Sequence, residues 1–229
     1  RACIYTGGQP HRNGRGVQDA LERSLATIAN APVGTIAAGR TDAGVHASMQ
    51  VVHFEVEADR PETAWVRGVN SNLPDAVAVL WAKAVAAEFP ARFDARERHY
   101  TYLLSTRPVR PALSAGRIGW YHRSLDVEAM GEGAGALVGT HDFSAFRAAE
   151  CQAKTPVRTL SNVSIEPAGE ALRFDFRANA YLHHMTRTVA GALVNVGAGK
   201  HPPSWIGELL AGRDRTRAAP TFAPDGLYF

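Results

Sequence analysis

Residues Gly39 to His46, Gly-Arg-Thr-Asp-Ala-Gly-Val-His, gather the side chains of this chain best suited to chemistry. Asp42 brings a carboxylate, which can attack as a nucleophile or carry a proton. Arg40 stands two positions before it, and Gly39 and Gly44 flank both. Glycine is used where a backbone turns tightly or lets a ligand approach. Composition alone leaves two readings open. One is a solvated turn whose aspartate caps its own backbone and whose arginine hangs in water. The other is a set of reactive side chains mounted on a rigid sheet, and the flanks supply the frame for it. Thr35-Ile36-Ala37-Ala38 reads as a short strand and Val51 to Val56 as another, an arrangement that commonly presents reactive groups.

Other patterns with a chemical flavour fail on spacing. Gly197-Ala198-Gly199-Lys200 has a glycine-lysine pair, but Val194 and His201 break the phosphate-loop template, so it reads as a helix terminator. Gly131, Gly133 and Gly135 fall inside a helical pattern with no strand before them, unlike a dinucleotide fingerprint. His183 and His184 are neighbours on an expected helix, so their side chains should diverge, and no downstream acid and histidine complete a metal set. His53-Phe54-Glu55 resembles the start of a zinc deaminase signature but lacks its cysteine half. No metal is expected.

The elements that must position Asp42 follow from periodicity. Cys3 to Tyr5 reads as a strand end and Gly7 to Gly16 as a loop. Val17, Leu21, Leu25 and Ile28 predict an amphipathic helix over 16–30. Val52, Phe54 and Val56 alternate as in a half-buried strand. Pro61 opens a helix with Trp65, Val69 and Leu73 on one face, closed by Pro74 and Asp75, and Val77, Val79 and Trp81 alternate as a further strand. A second half begins near Arg96. His99 to Leu104 has strand composition, and Pro108 and Pro111 break it. Met130 to Val138 predicts a glycine-weakened helix, Leu160 to Ile165 and Leu172 to Ala178 two strands, Leu182 to Val196 the longest helix and Trp205 to Leu210 a short one. The expected class is α+β: two ferredoxin-like (RNP-like) halves, 1–95 and 96–229, fused through a mostly antiparallel central sheet with helices on one face.

At 229 residues and 45% hydrophobic content the chain can build a proper core. No apolar run approaches the roughly 20 residues that span a bilayer, and the start lacks a signal-peptide pattern. Cys3 and Cys151 are too few and too far apart for a disulfide framework or zinc site, which points to a reducing, cytoplasmic setting. A net charge of +3 with pI near 9.1 permits a basic, nucleic-acid-binding face without demanding one.

The octapeptide resembles the active-site signature of the tRNA pseudouridine synthase A family, and further segments agree in order. They are Val17 to Leu21, Gly68 to Pro74, Phe89 to Phe93, Arg98 to Tyr102, Asp142 to Arg147, Cys151 to Arg158 and Ala178 to Arg187. One departure is near the start, where Tyr5-Thr6-Gly7-Gly8-Gln9 lacks the family's following Gly-Trp-Gln.

The resemblance implies that Asp42 is the catalytic aspartate, Tyr100 the ring packed on the target uracil, and Arg187 the cation paired with Asp42. It implies tRNA contact by Arg40, which enters the space left by the flipped base, and by Arg60, Phe89, Pro90, Ala91, Arg92, Phe93, Tyr121, Glu150, Cys151, Gln152, Ala153 and Lys154. The reaction implied is isomerisation of uridine to pseudouridine on the 3′ side of the anticodon arm, at tRNA positions 38 to 40, by a cytoplasmic homodimer without cofactor. Two other readings stand beside it: a non-catalytic RNA-binding protein on the same scaffold, and a small-molecule enzyme with a carboxylate base.

Overall fold

Helix α1, Val17–Ala29, starts where the Asp19 carboxylate accepts the Gly16 N–H at 2.7 Å and stops at Asn30, whose φ of 55° leaves the helical region. Its Leu25 and Ala29 pack with Val33, Trp65 and Val69, and Leu21, Ile28 and Phe54 lie against this cluster. Polar groups fix its direction as well. Glu22 accepts the backbone N–H and the hydroxyl of Thr35 at 2.8 and 2.9 Å, while Gln18 donates to the Thr35 carbonyl at 2.8 Å. Strand β1, Thr35–Ala37, is thereby tied to the helix before it pairs antiparallel with β2, Val52–Phe54, in the register Thr35 to Phe54.

The structure is a computed structural model that describes residues 16–229. The strand expected over Cys3 to Tyr5, the departure at Tyr5 to Gln9 and all but the last residue of the Gly7 to Gly16 loop lie outside the described residues. The chain divides after Arg96 into two compact units.

In the first unit the helix expected from Pro61 forms, but in a widened form: Ala64–Gly68 is a π-helical turn leading into α2, Val69–Asn72. Among the described residues the segment expected as a strand at Val77, Val79 and Trp81 pairs with no other strand. The Asn70 side chain bonds its backbone. It donates to the Val79 carbonyl at 2.8 Å and accepts the Val79 N–H at 2.7 Å. Leu80 and Trp81 are 64% and 53% exposed.

The second unit is a six-stranded sheet in the order β4-β3-β7-β6-β5, with β8 also on β3. β3 is Arg98–Ser105, β4 Gly119–Trp120, β5 Gly139–Asp142, β6 Val157–Ala168, β7 Ala171–Ala178 and β8 Leu227–Tyr228. Every pairing is antiparallel except that of β3 with β4. Among the described residues β1 and β2 form one sheet and the six strands of the second unit another. Alternation sets the buried face: Tyr100, Tyr102 and Leu104 from β3 and Leu172, Phe174, Phe176 and Ala178 from β7 are buried. Residues between them, such as Arg173 and Arg177, are exposed.

Helix α3, Val127–Gly135, is capped by the Asp126 carboxylate, which accepts the Ala129 N–H at 3.0 Å. One of its glycines has a packing reason, since a Cβ at Gly133 would stand 3.1 Å from Ile206 of α5, Trp205–Gly212. Helix α4, Met185–Gly197, begins three residues later than expected because His184 has a φ of 60°. It is buried almost all round, as a central helix must be.

β8 is held by backbone: the Leu103 N–H donates to Gly226 O at 2.8 Å. A Cβ at Gly226 would lie 2.2 Å from Leu103 O and 2.5 Å from Gly119 N, atoms that cannot step aside. Gly226→Ala is expected to lower stability in urea unfolding by about 3 kcal/mol. Gly207→Ala, in open space within α5, is expected to raise it by up to about 1 kcal/mol.

Candidate active site

Asp42 sits at the first position of a four-residue turn closed by the Val45 N–H donating to the Asp42 carbonyl at 3.1 Å. Gly44, third in the turn, has a φ of 81°, a value that favours glycine at that place. Val45 and His46 after it are 2% and 3% exposed and anchor the turn. On the other side the Gln50 side chain donates to Gly39 O at 2.8 Å and accepts the Gly39 N–H at 3.3 Å, and the Ala38 N–H donates to Val51 O at 2.8 Å. The β1–β2 ladder is thus prolonged to the foot of the turn. Asp42 is half-buried and Arg40 exposed. This favours a mounted carboxylate over a slack, fully solvated turn.

In the second unit Tyr100 is 9% exposed, its ring edge-on to Tyr181 at 5.0 Å and tilted against Phe229 at 4.9 Å. The Tyr181 hydroxyl donates to Arg98 O at 3.3 Å, and burial pushes its phenol up. Arg187, in the first turn of α4, donates from Nε to Phe222 O at 2.8 Å, while the Phe222 N–H donates to Arg187 O at 3.2 Å. The guanidinium is thereby steered. Sequence reading assigned no role to Tyr181, Phe222 or Phe229. Phe229 meets Tyr100 because β8 runs along β3 with Tyr228 opposite Thr101, and only that register reveals it.

His183 and His184 differ from expectation. They precede α4, and with His184 at a positive φ their rings stand 3.9 Å apart, so the divergence expected of helix neighbours does not occur.

Of the residues expected to touch RNA, Phe89 to Phe93 form a turn in which the Phe93 and Asp94 N–H groups donate to Pro90 O. Ala91 is buried and donates to His53 Nδ1 at 3.1 Å; Arg92 lies over the ring of Phe93, which is 80% exposed. Arg60 is exposed, with Nε toward Ile28 O at 3.4 Å. Tyr121 is half-buried, its N–H donating to Ser105 O at 2.9 Å. Glu150, Gln152 and Lys154 are exposed on a loop whose carbonyls at Cys151 and Ala153 both accept from the Arg147 guanidinium. Cys151 is buried within that loop and its sulfur accepts the His183 N–H at 3.4 Å. Burial pushes its thiol up, but the N–H groups of Ala153 and His183 and then Arg147 outweigh burial and bring it below the ordinary value.

Arg147 is placed by the turn before it. Asp142 accepts the Ser144 hydroxyl at 2.6 Å and the Ser144 N–H at 2.9 Å, with Arg213 Nε 3.4 Å away, while Phe143 and Phe146 are fully buried. Burial pushes the Asp142 carboxyl up, but the hydroxyl, the N–H and then Arg213 hold it below the usual carboxylate range. A carboxyl depressed on folding stabilises above its unfolded value, near pH 4 for aspartate, and ceases to do so as pH falls through its folded value. Asp142→Asn is therefore expected to cost about 1 kcal/mol at pH 7. In denaturant titrations at a series of pH values the gap from wild type should close in acid below about pH 4.

Among the described residues no helix is long and apolar enough to cross a membrane. A sequence profile described as tRNA pseudouridine synthase matches residues 6–94 and 134–229. The chain is 58% identical over 228 residues to the tRNA pseudouridine synthase A of Thiobacillus denitrificans, covering 100% of this chain and 88% of the relative. It is 56% identical over 225 residues to that of Dechloromonas aromatica, covering 98% and 86%. For that of Chromobacterium violaceum the figures are 57% over 225 residues, 98% and 86%. With the signature turn, the two units and these matches taken together, the chain belongs to the tRNA pseudouridine synthase A family.

Proposed function

We propose that this protein isomerises uridine to pseudouridine in tRNA, with Asp42 as the catalytic residue. The observation that carries the reading is the Asp42 turn, fixed by Gly44 and the Gln50 clamp, in a chain of this family. The reaction breaks the glycosidic bond from C1′ to N1 and forms one from C1′ to C5. The C5 hydrogen leaves as a proton and N1 gains one, so no electrons are exchanged. That balance requires neither metal nor nucleotide cofactor. A single carboxylate serves it, either by attacking sugar or base or by handling the proton while the uracil turns.

The family resemblance supports Asp42 as the group that reacts and Tyr100 and Arg187 as further residues that serve the reaction. Tyr100, steadied by Tyr181 and Phe229, packs on the uracil, and Arg187 is the cation that the family resemblance pairs with the catalytic carboxylate, a task its planar fork suits better than a lysine. A stem uridine must be flipped out, at a cost of a few kcal/mol, and Arg40 takes its place in the stack. Arg60, Phe89 to Phe93, Tyr121 and Glu150 to Lys154 hold the anticodon arm. The family resemblance supports tRNA positions 38 to 40 as targets and a cytoplasmic homodimer as the working form. We read unit 97–229 as one ferredoxin-like half, on the strength of its β3-α3-β6-β7-α4-β8 succession and the neighbour order β8-β3-β7-β6, and the first unit as the other half.

The test is tritium release from tRNA labelled at uracil C5. Asp42→Ala and Asp42→Asn are each expected to cut release by more than about 10³-fold while tRNA binding persists. Substantial turnover by the folded Asp42→Ala protein refutes the assignment, and a loss of wild-type activity on adding a chelator overturns the cofactor-free reaction.

A further inference from the structure

The guanidinium of Arg187 is steered from outside its own helix. Its Nε donates to Phe222 O at 2.8 Å, and the Phe222 N–H donates to Arg187 O at 3.2 Å. A carbonyl can orient a guanidinium only if the carbonyl is itself held in place. Phe222 belongs to no helix or strand, so the hold has to come from groups packed along its segment.

That hold is built between α5 and β8. After Gly212 the chain turns back at Arg213, whose φ is 53°. The Asp214 carboxylate then accepts the Thr216 N–H at 2.9 Å and the Thr216 hydroxyl at 2.7 Å, which starts a 3₁₀ turn over Arg215–Arg217. Arg215, first in that turn and half-buried, donates from one terminal nitrogen to Ala219 O at 3.0 Å and from the other to the Thr221 hydroxyl at 3.3 Å. The Thr221 hydroxyl also lies 3.3 Å from that of Thr188, the residue after Arg187. Ala219 is buried, and a Cβ on Gly191 would stand 2.6 Å from Pro220 O, so the segment lies directly on α4, about one turn beyond Arg187. Two arginines therefore grip one irregular stretch, Arg215 at 219 and 221 and Arg187 at 222. A planar fork with two donors fixes two acceptors at once, which a lysine cannot do.

We propose that Arg215 is a positioning residue for the reaction, acting through Arg187. By holding Ala219 to Thr221 against α4, it puts Phe222 O where that oxygen sets the plane of the Arg187 guanidinium. The inference rests on the reading under Proposed function for the part Arg187 plays in catalysis, while the clasp itself does not depend on that reading.

The experiment has a kinetic and a spectroscopic arm, both on the full chain. Tritium release from tRNA labelled at uracil C5 gives kcat and KM for wild type, Arg215→Met, Arg187→Met and the double variant. Arg215→Met is expected to lower kcat roughly 10- to 100-fold with KM within about twofold of wild type. In the Arg187→Met background it is expected to add nothing, because a residue that acts through another has no effect once that other is gone. Arg215→Lys, which keeps the charge but not the fork, is expected to fall between. In the second arm the Arg187 Nε–H signal in a 1H–15N spectrum is identified by its loss in Arg187→Met. In Arg215→Met that proton is expected to exchange with water at least about tenfold faster. Thr221→Val removes one of the two acceptors and is expected to show both effects more weakly, which keeps the test decisive if Arg215→Met does not fold. An equal loss from Arg215→Met in both backgrounds, or unaltered exchange at Arg187 Nε–H, overturns the inference and leaves the enzyme assignment standing. Turnover by Arg187→Met equal to wild type removes Arg187 from the reaction and the positioning role with it. Absence of pseudouridine from wild type removes the enzyme reading, and the Nε–H signal tells either result apart from failure of the clasp.

Discussion

Strand β3 must satisfy three neighbours at once, and the second unit is arranged around that demand. One edge pairs with β7 along the whole strand from Arg98 to Ser105, and the other is shared by β4 at its end and β8 nearer its middle. Inward alternation then gives Tyr100, Tyr102 and Leu104 one direction. Tyr102 has no exposed surface, its hydroxyl donates to Ala223 O at 2.8 Å, and burial pushes its phenol up. Gly119 exists in its shadow: a Cβ there would lie 2.3 Å from that hydroxyl. The buried hydroxyl has its partner because the chain after α5 returns past it, and that return brings Phe229 to Tyr100.

A second device recurs where the backbone is irregular. Gln50 bonds both backbone groups of Gly39, and Asn70 both groups of Val79. Arg147 gathers the carbonyls of Cys151 and Ala153. Buried or half-buried backbone groups need partners, and where no strand is available a planar amide or guanidinium supplies them at the correct spacing. Such bonds also hold a loop in one shape, which a site needs when it must align a substrate without reorganising.

Much of this was legible in the residue order. The 3.6-residue recurrence of Leu21, Leu25 and Ile28 and the twofold alternation of Leu172, Phe174 and Phe176 each report a local period that burial then exploits. The Asp42 turn was legible because Gly44 must take a positive φ, a demand that local sequence alone expresses. At Val77 to Trp81 alternation alone names no partner: pairing depends on what lies alongside, which among the described residues is the Asn70 side chain. β4, β5 and β8 are too short to carry a period at all, and their pairing comes from β3 and β6.

By itself the sequence determined what depends on neighbours along the chain: helices α1 and α4, strands β3, β6 and β7, and the glycine-flanked aspartate. Only the tertiary structure decided which distant groups meet. The packing of Tyr181 and Phe229 on Tyr100, the tether of Arg187 to Phe222 and the pairing of β8 with β3 belong to that class. The physical reason is range. Backbone preference and side-chain period act over a few residues, whereas strand register and side-chain-to-backbone bonds join positions tens to more than a hundred residues apart, and no local pattern encodes the partner.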